Sequence, residues 1–542
     1  MNVPLIARKA PNLVAIVFIV IGTARIVSTY YHVSQVYDEP FHVLRGMHWQ
    51  TGHQYIHTEH PPLGPLGFAL LPRLLGFQYS DTGSKLTDGN SILYENGEYL
   101  NTLVAFRVGN LLFFWIVSVL LYYWVSCRGS RWNAAIAVAF FTLCPTVLGH
   151  SGVATTDLPM TAMLLGTVVF VERAIWKPTN ARWIVAGLAT GLALLAKFSA
   201  MLFVPICFLV LFGLSPKSLR ASDSKWKPLL NLTFFILALF ATVWCIFGFS
   251  LGTLGSIRIK EYAFEGFPSS LSKLVVPFPE FIAGIVWAKS KLEMGHGDYF
   301  FGMTSEGGSL LFFPTVLAIK TPLAMLSLCL ISCLACCRRI SKHKSSWMDW
   351  PMLPLVISGA LLAAVMPSSV NIGVRHLLPI YPFLSALAAD GCQRAWAGLC
   401  KGQSCSMISR FGLGSLVVWL LVESSTSHPH YLSYFNGLVF GRPERIVVDS
   451  DLDWGQGVFE LERKCRDMSI NRLKVVYFGT AQLEKHQLPM EPSAEDTHYW
   501  IAISTTTLFR HPQFEEFRLR EPDAVIPGGS MRLYRIGVQI ND

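Results

Sequence analysis

The chain has 542 residues, 52% of them hydrophobic and 15% charged, with a formal net charge of +9 and a mean hydropathy of +0.42. Soluble domains carry about 25% charged residues, so a water-soluble globular protein is excluded and a polytopic α-helical membrane protein is indicated. The basic excess falls in short loops where membrane orientation needs it, which argues against a nucleic-acid partner.

Eleven apolar segments are long enough to read as spans: 11–31, 101–125, 132–150, 157–175, 182–198, 199–214, 229–250, 310–336, 350–367, 376–392 and 411–426. Arg8-Lys9 precede the first without a small-residue cleavage site close behind, the pattern of a signal anchor. Alternating the spans puts the N-terminus, 126–131, 172–183, 215–228, 337–349 and 393–410 on one side. Each carries basic residues, such as Arg128 and Arg131, or Arg338, Arg339, Lys342 and Lys344, which marks that side as cytosolic. The exoplasmic side then receives two long loops, 32–100 and 251–309, and everything after the last span.

Two domains follow from this division: a transmembrane module over 1–427 and a small exoplasmic α/β domain over 428–542. In the first loop, Phe68-Ala69-Leu70-Leu71 follows a Pro/Gly-rich turn and is too short to cross, so it predicts a helix on the membrane surface. In the tail, Ile446–Val448, Leu473–Phe478, Tyr499–Ile503 and Met531–Ile536 predict strands. Val458–Arg466 predicts an amphipathic helix. Only Cys465 of the twelve cysteines lies in that domain, so it holds no internal disulfide. Cys333, Cys336 and Cys337 have metal-like spacing but no second ligand pair. The sequon Asn231-Leu232-Thr233 falls at a cytosolic span edge, where it is not expected to be used.

The unusual residues gather on the exoplasmic side. Asp38-Glu39 follow the first span directly, and adjacent acids at a helix mouth do chemistry, bind an ion or sit in water. One carboxylate there suits a general base and the second suits holding an acceptor or ion. Arg107, Lys197, Lys320 and Arg375 map near the same boundary. Each alone could snorkel to headgroups. Four together with a carboxylate pair fit an anionic ligand at membrane level, such as a lipid phosphate. Asp157, in Thr156-Asp157-Leu158-Pro159, either caps its helix or serves the site. His32, His42, His48, His53, His57 and His60 cluster within 32–60. With Asp38, Glu39 and Glu59 they are either ligands of a divalent metal or interfacial polar residues, and their spacing matches no closed zinc pattern. Gly295-His296-Gly297-Asp298-Tyr299 opens a glycine-permitted loop that leads to Lys320-Thr321-Pro322.

Taken together, Asp38-Glu39, the His60-Pro61-Pro62-Leu63 turn, Arg107, Thr156-Asp157, Ala196-Lys197, the stretch from Gly295-His296 to Pro322, Arg375-His376-Leu377-Leu378-Pro379, Tyr434-Phe435-Asn436 and the run Asp449 to Gln456 resemble the class C membrane glycosyltransferases. The resemblance is to the protein O-mannosyltransferase-like and aminoarabinose transferase-like enzymes, in a bacterial branch. It implies a sugar donor carried on a polyprenyl phosphate and transfer with inversion to an acceptor hydroxyl on the periplasmic or lumenal face, in a bacterial inner membrane. By the same resemblance Asp38 is the base and Glu39 orients the acceptor or an ion. Arg107 holds the donor phosphate with help from Lys197, Lys320 and Arg375. His60, Asp157, His296 and Tyr299 are expected on the acceptor side. The acceptor is a protein, a lipid or a glycan. The chain departs from the eukaryotic mannosyltransferases in lacking a large lumenal insertion, which weakens the case for a protein acceptor. Asp449, Asp451, Asp453, Trp454 and Gln456 either bind the acceptor or start and pack the following helix. The alternative reading is a transporter or flippase of a lipid-linked substrate. It predicts charges deep in several spans and broken helices in corresponding halves.

Overall fold

A computed structural model describes residues 5–50, 59–214, 226–257, 266–305, 307–341, 350–399 and 406–537. His53, His57, Lys342, Lys344, Cys400 and Cys405, with the loop basics of 215–225, lie outside the described residues. The helices in chain order are α1 (Leu5–Thr29), α2 (Glu39–Gln50), α3 (Leu63–Leu74), α4 (Lys85–Glu95), α5 (Tyr99–Arg128), α6 (Arg131–Leu143), α7 (Pro145–Ser151), α8 (Asp157–Trp176), α9 (Asn180–Ala196), α10 (Ala200–Leu214) and α11 (Trp226–Ile246). After these come α12 (Ser269–Ser272), α13 (Pro279–Met294), α14 (Phe312–Lys320), α15 (Leu323–Ser341), α16 (Met352–Val365), a 3₁₀ segment (Val374–Ile380), α17 (Tyr381–Leu399) and α18 (Ser406–Thr426).

Each predicted span coincides with helical structure, and the protein is an integral membrane protein. The count of eleven is not reached by length and apolarity. Among the described residues four helices are long and apolar enough to cross a bilayer, or six if two bent pairs each count as one span. The shortfall has a local cause. Pro145 supplies no N–H to continue α6, and the α6–α7 pair bends by 65°. Thr321-Pro322 breaks α14 from α15 with a bend of 113°. Helices α9, α10 and α16 stop at 17, 15 and 14 residues.

A single apolar core runs from Ile26 and Tyr30 through Phe106, Phe114, Val168, Leu328 and Phe383 to Tyr431 and Val447. Helices α5, α6, α8 and α17 lie at its centre. The first loop is folded onto it, with α2 packed on α3 and α3 on α5. Gly109 makes the α3–α5 crossing close: a Cβ there would stand 2.3 Å from the Gly67 carbonyl oxygen. The predicted surface helix forms as α3. It buries Phe68 and Ala69 and turns Leu70 and Leu74 outward.

Two short hairpins lie in the second loop, β1 (Leu251–Thr253) with β2 (Val275–Pro277), and β3 (Asp298–Phe300) with β4 (Met303–Ser305). The tail holds α19 (Val458–Asp467), α20 (Thr505–Arg510) and a sheet of β5 (Leu473–Val476), β6 (Tyr499–Ser504), β7 (Ala524–Val525) and β8 (Met531–Ile536), in the order β5-β6-β8-β7. The β5–β6 pair is parallel and the others antiparallel. The amphipathic α19 seats Leu461 and Cys465 against Leu473, Ala502 and Leu533. One predicted strand is absent: Ile446–Val448 makes an isolated bridge, Val447 to Phe300, with Phe301 donating its N–H to the Ile446 carbonyl. The chain cannot extend this into a ladder, because Pro443 opens a 3₁₀ turn before it and Asp449 takes positive φ after it.

Candidate active site

The turn after α1 is the foundation of the site. Its backbone is tied to the far end of the chain: Ser34 N–H donates to the Gln456 carbonyl (3.1 Å) and Tyr37 N–H to that of Trp454 (2.9 Å). The Ser34 hydroxyl accepts from the Val458 N–H at 3.1 Å. Residues 449–458 therefore wall the site, and Trp454 is 2% exposed within it.

Asp38 and Glu39, neighbours in sequence, have opposite environments. Glu39 is fully buried and receives both forks of Arg107, Nε and Nη2, each at 2.8 Å. It also accepts from the Val36 N–H (2.9 Å) and the Ala154 N–H (2.8 Å). Arg107, also without exposure, spends its remaining reach on the Val33 carbonyl (2.7 Å) and the Ser34 carbonyl (2.9 Å). The resemblance expects Arg107 at a lipid phosphate. Its donors are taken by a buried bidentate pair that clamps the turn. Glu39, with both oxygens occupied, is not placed to orient an acceptor.

Asp38 is 27% exposed and takes one partner, Arg375, from Nη1 to Oδ2 at 2.5 Å. Its Oδ1 has no hydrogen-bond partner among the described residues. Burial pushes this carboxyl up, but Arg375 holds it below the usual carboxylate range. Arg375 is set by the Trp454 ring, 4.4 Å from its guanidinium carbon. Gly373, at φ +121°, makes the approach possible: a Cβ would stand 2.6 Å from the Ser450 hydroxyl and 3.0 Å from the Asp451 carboxyl. Sequence reasoning did not single out this Arg375–Trp454 stack, since nothing in spacing links the two residues.

Lys197 ends the α9–α10 turn and donates to Asp157 Oδ1 at 2.6 Å, while Thr155 donates to Oδ2 at 3.1 Å. Asp157 is 2% exposed and its charge reaches Asp38 and Arg375. Lys197 opens with His60 and His376 into a cavity of about 650 Å³. Its walls are mainly Phe198 and Leu202, Ile285 and Trp287, and Ala364 and Val365. His376 stood in the quoted Arg375-His376 motif without being singled out. His60 meets the His42 ring edge-on at 5.0 Å. Burial, and then Arg45, hold both imidazoles down, His42 at about 3 and His60 well below its ordinary value, so both are neutral.

Three further expected site residues have other partners in this structure. Lys320 is fully buried, donates to the Leu432 and Asp451 carbonyls at 2.7 Å each, and lies over the Phe435 ring, so it joins α14 to the tail rather than facing a phosphate. Tyr299 is packed with Val448, Leu452 and Phe509, 7% exposed, which makes it part of the seam with the tail. His296, 34% exposed, stands 3.9 Å from Asp449 rather than beside Asp38. A divalent metal finds no cluster of three or more His, Cys, Asp or Glu among the described residues. His42 faces the Arg45 guanidinium at 3.4 Å and His32 the Glu460 carboxylate at 3.0 Å, so these histidines do not fit a metal centre. Of the acids in the tail, Asp449 pairs with Arg510 and Asp451 accepts from the Val374 N–H, both at 2.9 Å. Asp453 accepts from the Thr506 N–H at 3.0 Å.

Residues 99–246 match the sequence model of the family described as dolichyl-phosphate-mannose-protein mannosyltransferase. No curated protein matches the chain in sequence. Among solved structures the fold is similar to ArnT from Cupriavidus metallidurans bound to undecaprenyl phosphate, at 11% identity and TM-score 0.48, over 97% of this chain and 98% of that one. It is also similar to the Archaeoglobus fulgidus oligosaccharyltransferase tethered with an acceptor peptide, at 13% identity and TM-score 0.45, over 78% and 54%. A third similarity is to the S. cerevisiae protein O-mannosyltransferase Pmt1-Pmt2 complex bound to the sugar donor, at 16% identity and TM-score 0.35, over 46% and 34%. The chain is similar to the class C membrane glycosyltransferases, and the matched residues 99–246 carry Arg107, Asp157 and Lys197.

Proposed function

We propose that the protein transfers a sugar from a polyprenyl-phosphate donor to an acceptor hydroxyl on the periplasmic or lumenal face, with Asp38 as general base. The observation that carries this reading is the state of Asp38: ionised, half-buried, fixed through one oxygen by Arg375, and free at the other. The acceptor hydroxyl attacks the anomeric carbon from the side opposite the phosphate while Asp38 Oδ1 takes its proton. The C–O bond to phosphate breaks, the phosphate keeps the electron pair, and the anomeric centre inverts. A carboxylate below its usual range is a weak base, so the chemistry leans on a good leaving group and on positioning. Lys197 supplies positive charge for the departing phosphate, and the apolar walls beyond it suit an isoprenoid chain. His60, neutral and next to both, suits contact with the sugar or the acceptor. His296, at the tail's edge, lines the approach. Trp454 lies under Arg375, the partner of Asp38, which gives the tail a part in shaping the site whether the acceptor is protein, lipid or glycan.

The test is transfer of label from radiolabelled polyprenyl-phosphate sugars in membranes holding wild type or Asp38→Asn. Loss of transfer by about a hundredfold or more, with donor binding retained, is expected from removal of a general base. Equal transfer by both proteins would remove Asp38 from that role. Export of intact lipid-linked sugar by both proteins, without transfer, would establish the transporter.

A further inference from the structure

We propose that the end of the bundle opposite the active site holds a second anion site, which takes the phosphate of an anionic phospholipid headgroup. Helix α8 begins at Asp157 in the active site and ends at Trp176, 20 residues away, a rise of about 30 Å that matches the hydrocarbon thickness. Where α8 ends, the C-terminus of α5 and the N-terminus of α9 meet it around a cavity of about 390 Å³. Arg128, Arg173, Lys177 and Arg182 line that cavity, with Glu172 as its one acidic residue.

The charges do not cancel. Glu172 is 2% exposed and is fully engaged, by Arg128 on one oxygen and the Trp124 indole N–H at 2.7 Å on the other. Arg173, Lys177 and Arg182 have no carboxylate partner among the described residues. Arg182 donates to the Lys177 carbonyl at 2.8 Å and Arg173 to the Cys127 sulfur at 3.5 Å, both neutral acceptors. Two guanidiniums lie over rings, Arg173 over Tyr123 at 4.8 Å and Arg128 over Trp176 at 5.0 Å. The ring contacts restrict the arginines, and a planar guanidinium offers a phosphate several N–H donors at once. Because two arginines already lie over the Tyr123 and Trp176 rings, these rings do not form a free cage for a quaternary ammonium headgroup. Trp176, 39% exposed, adds the amphipathic ring expected at headgroup depth. Basic pockets between membrane helices bind anionic headgroups in this way.

The full chain in phosphatidylcholine nanodiscs doped with phosphatidylglycerol, analysed by native mass spectrometry for co-purifying lipid, tests the assignment against the triple variant R173Q/K177Q/R182Q. Each cation close to a membrane phosphate contributes roughly fivefold, so the triple variant is expected to bind phosphatidylglycerol about a hundredfold more weakly. If the triple variant does not fold, Lys177→Glu, at an exposed helix end, is expected to show a drop of at least tenfold on its own. Equal phosphatidylglycerol binding by wild type and the folded variant would overturn the site. Displacement of the lipid from wild type by millimolar inorganic phosphate would overturn the headgroup assignment and leave free phosphate as the ligand.

Discussion

Replacing Arg107 with Met separates a clamp from a ligand. The substitution keeps the volume of the side chain and removes its charge. It leaves Glu39 with no exposure and no counter-charge, and removing one partner of a buried pair costs about 3–5 kcal/mol. It also strips the Val33 and Ser34 carbonyls of their donor, at about 1–3 kcal/mol for each buried group left unsatisfied. The sum, about 5–11 kcal/mol, is comparable with the whole stability of an ordinary domain. Arg107→Met is therefore expected to lose its monodisperse peak in detergent after mild heating. The double variant Glu39→Met/Arg107→Met removes both charges and is expected to recover part of the lost thermal midpoint, as apolar replacements of buried pairs do. Arg107→Lys is expected to fall in between, because one ammonium cannot serve both carboxylate oxygens. Fluorescence-detected size exclusion over a temperature series reads all four proteins. An Arg107→Met protein with an unchanged midpoint and a raised KM for the lipid donor would refute the clamp and restore Arg107 as a phosphate ligand.

Arg375→Gln removes the cation that holds the Asp38 carboxyl down while burial still pushes it up. Wild-type transfer is expected to fall with acid only below the usual carboxylate range, and the acid limb of the variant's pH–rate profile should move toward neutrality. Asp453, raised to about 7 by burial, binds a proton in the folded state that the unfolded state has released above about 4. Its contribution to stability is thus fully present below about pH 4, declines as pH rises to about 7 and is flat beyond. The thermal midpoint of wild type, compared with Asp453→Asn across that window, should show this slope only in wild type. Tyr299→Phe keeps the ring against Val448, Leu452 and Phe509, so kcat/KM within about twofold of wild type is expected in the transfer assay.

What the sequence made legible was order along the chain. The placement of Asp38, Lys197, Arg375, His60 and Asp157 along the chain, each beside a helix end, was enough to bring them to one neighbourhood. What it did not make legible was which charges were already spent. Glu39 and Arg107 look like site residues because both stand at helix mouths. Only the positions of Val36, Ala154, Val33 and Ser34 show every bond to be internal. The partners of Lys320 were hidden for the same reason, since they are backbone carbonyls more than a hundred residues away. Helix breaks were half legible: Pro145 and Pro322 were visible, but the angles they impose depend on packing. The Ile446–Val448 strand failed because β-branched composition reports a buried apolar segment, and burial here comes without a paired neighbour.

The tie between the turn at 33–37 and the backbone of Gln456 and Trp454 has a consequence for biosynthesis. Asp38 precedes the side chain that steadies its partner, Trp454, by more than four hundred residues, so it is made well before it. During synthesis Asp38 is already at the membrane while the Trp454 ring under Arg375 does not yet exist. A chain that stops before Trp454 is expected to leave the Asp38 carboxylate without its finished neighbourhood. The neighbourhood of Asp38 is therefore complete only once residues 454–456 have been made and have packed against the turn at 33–37.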